Sequence, residues 1–327
     1  MIHRLAAPAI LLALAAAGGA EAAQALPDGW PARPIRVIVP FPAGSASDTA
    51  ARLVSHKLSA SLGQTIVIDD RAGASGSIGV GVAAHAAPDG YTLVLGTAST
   101  QTLAPSLNPH LDYDPVNDFA PISLVAEAPY VLVVAPTVPA KTVGELIALA
   151  KTKPGVLNYG SAGPASLAHL AGELFSRMAG VTLTHVPYKS SAQSAVDIAA
   201  GRIQLQFATI APTLPYISDG RLRALGVSGT ARVTRLPDIP TIAEAALPGY
   251  EASLWLGVLA PAHTAPAIID RLSREIAAAL AAPELRDALI AQGFEPAADT
   301  PAAFAARIRS DTDKWRQVIV AAGIHEE

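Results

Sequence analysis

Short apolar runs alternate with amphipathic stretches along most of the chain. Residues 35–39 form a β-branched run that predicts a strand, and 49–62 repeats its leucines and valines every three or four residues, as a helix does. The same reading predicts further strands at 65–69, 91–95, 130–134, 156–159, 181–186, 203–207, 222–227 and 255–259, and helices at 142–152, 166–179, 191–200, 265–281, 283–292 and 301–322.

Four glycines in the middle of the chain each separate a predicted helical segment from the next strand: Gly155, Gly180, Gly201 and Gly220. Glycine just past a helix adopts the left-handed conformation at low cost. Repeated helix–Gly–strand units favour right-handed crossovers and mostly parallel sheets. The predicted class is therefore α/β.

Two proline-rich stretches, 105–121 and 236–250, interrupt the alternation of predicted strands and helices and lack hydrophobic periodicity. We interpret them as structured loops near which the chain passes between two lobes. The expected division places 24–127 and 228–270 in the first lobe. The second lobe is expected to hold 128–227 and 271–327.

The first residues have the pattern of a secretory signal peptide. His3 and Arg4 give a basic start, an uncharged apolar run follows, and two A-x-A motifs lie at 20–22 and 23–25. We expect residues 1–23 to be removed on export to the periplasm. The chain has no cysteine, which excludes a lipid-anchored cysteine, disulfides and thiolate chemistry.

The charge content narrows the possible partners. Only 15% of residues are charged and the net charge is −4, so nothing favours nucleic acid as a partner. After the leader, no apolar run approaches the ~18 residues of a membrane-spanning helix. We expect a soluble monomer whose anion site depends on backbone amides and hydroxyls.

Two loops, each leading from a strand into a helix, suit an anion. In the first, Gly44 allows close approach to the backbone, while Ser45, Ser47 and Asp48 lie at the start of a helix. The second, 160–166, is another Gly/Ser loop before a helix, about 115 residues later. An ordinary capped turn explains either loop alone, but one in each lobe suggests a cleft between them.

Other small or polar residues follow predicted strands and are expected near the same cleft, because ligands in open α/β sheets bind beyond the carboxyl ends of strands. The glycine-rich stretch 73–79 is interpreted as a wide turn that borders the cleft. The remaining candidates are Thr97, Ser99, Tyr188 and Thr209.

The sequence signals for catalysis or metal binding are weaker than those for ligand binding. The chain has neither a G-x-S-x-G elbow nor a phosphate-binding G-x-x-x-x-G-K-[ST] loop. Ser166 and His169 suggest a nucleophile and base, but a serine at a helix start is usually a cap. His169 and Glu173 have metal-ligand spacing without a second pair. We therefore predict no catalytic residue, metal or cofactor.

Seven ordered segments of the chain together form a recognisable pattern: 31–44 with Asp48, 70–79, 87–93, 113–119, 185–189, 220–225 and 236–241. In these segments the chain resembles the periplasmic receptors of tripartite tricarboxylate transporters, the Bug family. The resemblance covers essentially the whole mature chain.

The resemblance implies a two-lobed, type II periplasmic binding fold that closes on a small carboxylate and delivers it to a cognate membrane permease. By position, it implies ligand contacts from Gly44, Ser45, Ser47 and Asp48, and from Ser161, Ala162, Ser166 and His169 in the second lobe. The alternatives are an exported hydrolase using Ser166 and His169, and a sensory receptor.

Two departures from the family pattern bear on the ligand. Ser45 stands where the first loop usually has a second glycine, which adds a hydroxyl. Ala208 and Thr209 stand where many relatives carry an acidic residue suited to a ligand ammonium. We therefore predict a plain carboxylate rather than an amino acid.

Overall fold

The computed structural model describes Leu26 and residues 29–324. The predicted leader, 1–23, lies outside the described residues. The strands are β1 (Ile35–Val39), β2 (Ile66–Asp70), β3 (Thr92–Thr97), β4 (Phe119–Val134), β5 (Asn158–Ser161), β6 (Thr184–Pro187), β7 (Leu205–Thr209), β8 (Arg223–Val227), β9 (Ser253–Pro261) and β10 (Glu295–Pro296).

The helices are α1 (Ala46–Leu62), α2 (Ser77–Ala84), α3 (Ala104–Leu107), α4 (Val143–Thr152), α5 (Leu167–Ala179), α6 (Ser191–Ala199), α7 (Ile210–Ser218), α8 (Ile242–Ala245), α9 (Pro266–Ala281), α10 (Pro283–Ala291) and α11 (Pro301–Ala322). They follow the predicted alternation, with α2, α3 and α8 as short additions. No helix of the described residues is both long and apolar enough to cross a membrane.

Eight of these strands form one continuous path, β2-β1-β3-β9-β4-β7-β5-β6, that bends into two lobes, and β8 and β10 each pair with β4 beside this path. The outer strands are parallel in each lobe, as the helix–Gly–strand units predict. The two long central strands differ: β9 runs antiparallel to β3 and β4, and β4 runs antiparallel to β7, β8 and β10. The protein is thus a two-lobed α/β structure whose centre is antiparallel.

Strand β4 joins the lobes directly. Residues 119–129 pair with β9 in the first lobe, and 130–134 pair with β7 and β8 in the second. The place where the chain passes between the lobes, near residues 129 and 252, is called the crossing. Ser228 stabilises it, because its hydroxyl accepts from the Tyr130 amide at 2.8 Å and donates to the Ala252 carbonyl at 2.6 Å.

The hydrophobic cores divide the chain differently from the sequence-based division. Leu272 and Leu285 of α9 and α10 pack in the first-lobe core, whereas Ile242 and Tyr250 pack in the second-lobe core. The reason is that the chain passes from one lobe to the other near residues 129 and 252, rather than near 228 and 270. Sequence periodicity shows which helix face is apolar but not which sheet it covers.

Helix α11 belongs to both lobes. Phe304 and Ile308, near its start, pack on the first lobe, and Trp315 and Val318, further along, pack on the second. A helix that spans the crossing in this way restricts how the lobes move relative to each other.

Five charged side chains meet beside the crossing and are called the hinge cluster: Glu127 of β4, Glu251, and Arg307, Asp311 and Lys314 of α11. Arg307 pairs with Glu127, with Glu251 at 3.1 Å and with Asp311 at 3.5 Å. Lys314 pairs with Asp311 at 2.8 Å and with Glu251. Burial raises the pKa of Glu127 despite the adjacent Arg307 charge.

Candidate functional site

A cavity of about 400 Å³ lies between the lobes. Three segments line it: 74–77 and 99–111 from the first lobe, and 164–167 from the second. None of the lining residues carries a formal charge. They are Ala74, Ser75, Ser77, Ser99, Leu103, Ala104, Leu107, Asn108, Leu111, Pro164, Ala165, Ser166 and Leu167.

Backbone strain is concentrated at this cavity. Among the described residues, four that are not glycine have a positive φ, and three of them line the cavity: Ala74 (φ 44°), Ser75 (φ 55°) and Ala165 (φ 57°). Left-handed backbone costs a residue with a side chain about 1–3 kcal/mol. Such conformations cluster at functional sites, which supports a binding role for this cavity.

The first lining segment, 74–77, is a single 3₁₀ turn followed by the start of α2. Ser77 donates its hydroxyl hydrogen to the Ala74 carbonyl at 2.7 Å, and no side chain caps the first amides of α2. Gly76 is required here, because its φ is 97° and a Cβ would lie 2.8 Å from the Thr100 methyl. The exposed hydroxyl of Ser75 has no hydrogen-bond partner among the described residues.

The second lining segment begins with a π-helical turn over Ser99–Leu103. Such turns are rare and frequent at functional sites. Thr100 holds the turn against β3, because its hydroxyl accepts from the Thr97 amide at 3.0 Å. The Ser99 hydroxyl has no partner within the described part of the chain, whereas the Asn108 side-chain oxygen accepts from the His110 amide at 2.9 Å.

The third lining segment, 164–167, forms the start of α5. The Ser166 hydroxyl caps the helix by accepting from the His169 amide at 3.2 Å and donates to the Gly163 carbonyl at 2.7 Å. The Ala165 amide donates to Nδ1 of His169 at 3.2 Å. A neutral histidine ring therefore holds the strained residue of this loop in place.

His169 and His185 stack below this loop with ring centroids 3.7 Å apart and planes inclined by 9°. Burial lowers the pKa of each to about 4, and the neighbouring ring adds to the effect at His185. Both rings are therefore neutral at pH 7. His185 Nε2 lies 2.7 Å from the Ser161 hydroxyl, so that this hydroxyl is not free for a ligand.

The first predicted loop does not line the cavity. Its Gly44 amide donates to Asp48 Oδ2 at 2.7 Å, and its Ser45 hydroxyl accepts from the Asp48 amide. Arg52 pairs with Asp48 at 2.6 Å and with Asp70 at 2.9 Å. Burial opposes ionisation of Asp48, but Arg52 and the Gly44 amide outweigh it and lower the pKa. The loop's own carboxylate thus fills its anion position, and ligand contact by Gly44, Ser45, Ser47 and Asp48 stays a prediction.

Of the twelve predicted contact residues, Ser99 and Ser166 line the cavity. Thr97 is buried, Ala162 is exposed outside the cavity, and Thr209 precedes α7. The Tyr188 hydroxyl donates to Asp197 at 2.8 Å. These side chains serve the loops or lie outside the lining, since a position at a strand end does not fix where the side chain points.

Sequence reasoning missed most of the lining. The stretch 73–79 was expected only to border the cleft, yet it supplies Ala74, Ser75 and Ser77. Leu103, Leu107 and Leu111 come from a stretch interpreted partly as a loop, although their spacing of four residues was a helical signal.

The geometry does not support catalysis or metal binding. His169 Nδ1 accepts from the Ala165 amide, and no hydrogen bond joins the ring to the Ser166 hydroxyl. Ser161 approaches His185, but it is fully buried and does not line the cavity. Glu173 accepts from the Tyr159 hydroxyl and lies 3.8 Å from His169 Nε2. The described residues contain no group of three or more metal-ligating side chains.

Two relatives are similar in sequence to this chain over almost its whole length. A protein encoded in the tcbD-tcbE intergenic region of Pseudomonas sp. (strain P51) is 39% identical over 94% of this chain and 92% of its own length. BugT of Bordetella pertussis is 38% identical over 92% of this chain and 93% of its own.

Three solved structures are similar to this chain in both sequence and fold. An R. palustris protein determined with adipate is 36% identical, with a TM-score of 0.70 over 90% of this chain and 99% of its own. MatC of Rhodopseudomonas palustris, with bound malate, is 30% identical, with a TM-score of 0.65 over 89% of this chain and 100% of its own. A TctC solute-binding protein from Polaromonas is 29% identical, with a TM-score of 0.82 over 89% of this chain and 99% of its own.

The matched family settles the class of protein. The family described as the tripartite tricarboxylate transporter family receptor, TctC, matches residues 50–324. Its members are solute-binding receptors rather than enzymes, so the hydrolase alternative is excluded. On its sequence, its fold and its interlobe cavity, the chain belongs to the TctC family of tripartite tricarboxylate transporter receptors, which includes the Bug proteins.

Proposed function

We propose that the protein is a periplasmic receptor that binds a small carboxylate in the interlobe cavity and delivers it to a membrane permease. The observation that carries this proposal is the cavity itself, which both lobes line with hydroxyls and helix starts and without charged side chains. A carboxylate is acceptor-only when ionised, and it suits such a set of donors.

The proposed contacts follow from which donors are free. The hydroxyls of Ser75 and Ser99 line the cavity and have no partner within the described residues. The Ser77 amide, the first of α2, already donates to the Ala74 carbonyl, whereas the amides that follow it lack a side-chain cap and lie at the positive end of the helix dipole. The Ser77 and Ser166 hydroxyls already donate to carbonyls. We therefore assign Ser75, Ser99 and the start of α2 as the first carboxylate contacts.

Relatives support the ligand class and the compartment. The two R. palustris structures hold adipate and malate, both dicarboxylates. Other solved relatives are described as a periplasmic transporter and a periplasmic binding protein. These findings agree with the expectation that residues 1–23 are a leader for export to the periplasm.

Delivery requires that the permease distinguish the loaded receptor from the empty one. A ligand that contacts 74–77 and 164–167 together stabilises the closed arrangement of the lobes relative to an open one. The hinge cluster and α11 lie at the crossing about which this closure occurs. We propose that the permease recognises the closed form.

The first test is isothermal titration of the mature protein with succinate, malate, adipate, glutamate and aspartate. Ser75→Ala and Ser99→Ala should each lower affinity for the preferred acid about 10- to 100-fold, because each removes one hydrogen bond to a charged group. Ser61→Ala, on the exposed end of α1, is the matched control and should leave affinity unchanged.

Two outcomes would contradict the proposal. One is the absence of binding by any carboxylate to the folded protein. The other is tight binding of aspartate or glutamate without a response to plain carboxylates. No residue that lines the cavity is acidic, so none can pair with the ammonium of an amino acid.

A further inference from the structure

Four leucines form an apolar wall of the cavity, called here the leucine wall: Leu103, Leu107 and Leu111 of the first lobe and Leu167 of the second. We propose that this wall selects carboxylates whose body is plain hydrocarbon and disfavours hydroxylated acids of the same length. The inference rests on the proposed function, because it concerns the ligand of the same cavity.

The wall is held in place by both lobes. Leu103 belongs to the first lobe by connectivity, yet it is 3% exposed and packs within the second-lobe core. Leu107 packs against the same core, one helical turn later. Leu167, 4% exposed, is buried in the same core, so Leu103 and Leu167 anchor the wall while Leu107 and Leu111 are half-buried.

The polar groups of the cavity are too few to satisfy a hydroxylated body. Ser75 and Ser99 are assigned to the ligand carboxylate, and the Ser77 and Ser166 hydroxyls already donate within their own loops. Asn108 accepts from a backbone amide, which leaves only its NH₂ group. A ligand hydroxyl placed against the leucines would lose its hydrogen bonds to water without replacement.

The size of this effect can be bounded. Burying a hydroxyl without a hydrogen-bond partner is unfavourable, because the hydroxyl loses its bonds to water. An apolar pocket typically disfavours an added hydroxyl by about 100-fold at most. We therefore expect a 10- to 100-fold preference for the plain acid within a matched pair.

The experiment is calorimetric titration of the mature protein with pairs of equal carbon length: succinate with tartrate, adipate with its tetrahydroxy derivative mucate, and butanoate with 3-hydroxybutanoate. In every pair that binds, the plain acid should bind at least about 10-fold more tightly. Leu107→Asn and Leu111→Asn should each reduce that ratio, because they add amide groups to the wall. Leu53→Asn, partly buried on α1 outside the cavity, is the matched control and should leave the ratio unchanged.

The outcomes separate the two proposals. A hydroxylated acid that binds as tightly as its plain partner overturns the leucine wall while leaving carboxylate binding intact. So does a ratio that stays unchanged in both asparagine variants when thermal melts show that they fold. If no acid of any pair binds, the proposed function itself fails, and the inference fails with it.

Discussion

The cavity and the hinge cluster lie between the same two lobes and are electrostatic opposites. The cavity has hydroxyls, leucines and strained backbone and no charged lining residue, whereas the hinge cluster packs five charges into little space with side chains 8–24% exposed. Ligand binding must be reversible, and neutral donors hold an anion without a permanent opposite charge. At the crossing, the charges of the hinge cluster stay paired, because each is costly to bury without its partner.

The largest expected effect is the loss of a cation from the hinge cluster. Arg307→Met leaves Glu127, Glu251 and Asp311 facing a single remaining cation, Lys314. Breaking a buried pair in this way typically costs about 3–5 kcal/mol. Urea denaturation should therefore show a large fall in the free energy of unfolding.

Arg316→Met provides the control for this comparison. Arg316 lies on the same helix and pairs with Asp313, but both side chains are about 60% exposed. Exposed pairs contribute at most about 1 kcal/mol. If the two variants lose equal stability, the hinge cluster has no special role at the crossing.

The next effect concerns the histidines below the cavity, which are polar, buried and neutral. Their folded pKa of about 4 lies below the unfolded value of about 6.5. Between these values the unfolded chain binds more protons, so stability is complete above pH 6.5 and falls as the pH falls towards 4. At about 1.4 kcal/mol per pKa unit, His169 alone accounts for a loss on the order of 2–3 kcal/mol.

Denaturation curves at several pH values between 7.5 and 4.5 measure this loss. His169→Asn removes the titrating group and keeps an acceptor for the Ala165 amide, so its stability should fall less over this range. Protonation of His169 Nδ1 would also break that hydrogen bond, and affinity should decline with stability. A variant whose stability follows the same curve as the wild type would refute this role for His169.

The smallest expected effect is that of salt on ligand affinity. Because no lining side chain is charged, raising NaCl from 50 to 500 mM should change the dissociation constant by less than about threefold. Titrations at both salt concentrations test this. A fall in affinity of tenfold or more would indicate a cationic clamp outside the described cavity lining.

Much of the fold was predictable because its signals are local. The predicted α/β alternation is observed, and the four glycines before strands all have φ between 61° and 75°. Ser166 was predicted at a helix start, and it caps α5. The order of the strands and the antiparallel centre were not predictable, since they depend on pairings between residues far apart in the chain.

The candidate site was less predictable than the fold. Loop 40–48 has every sequence feature of an anion site, but Asp48 occupies its amide. The lining segment 74–77 was expected only to border the cleft, because its importance comes from Ala74 and Ser75 at positive φ, which no residue type signals. The leucines were assigned partly to a loop because the nearby prolines concealed their spacing.

The sequence by itself determined the class of protein. Ordered family motifs identified a two-lobed solute receptor of this family, and local patterns fixed most helices and strands. Only the tertiary structure decided which loops line the cavity, where the chain crosses, and that the charges gather at the crossing. The physical reason is that a local pattern fixes backbone conformation and the apolar face, whereas a site depends on which donors remain free once distant segments have packed together.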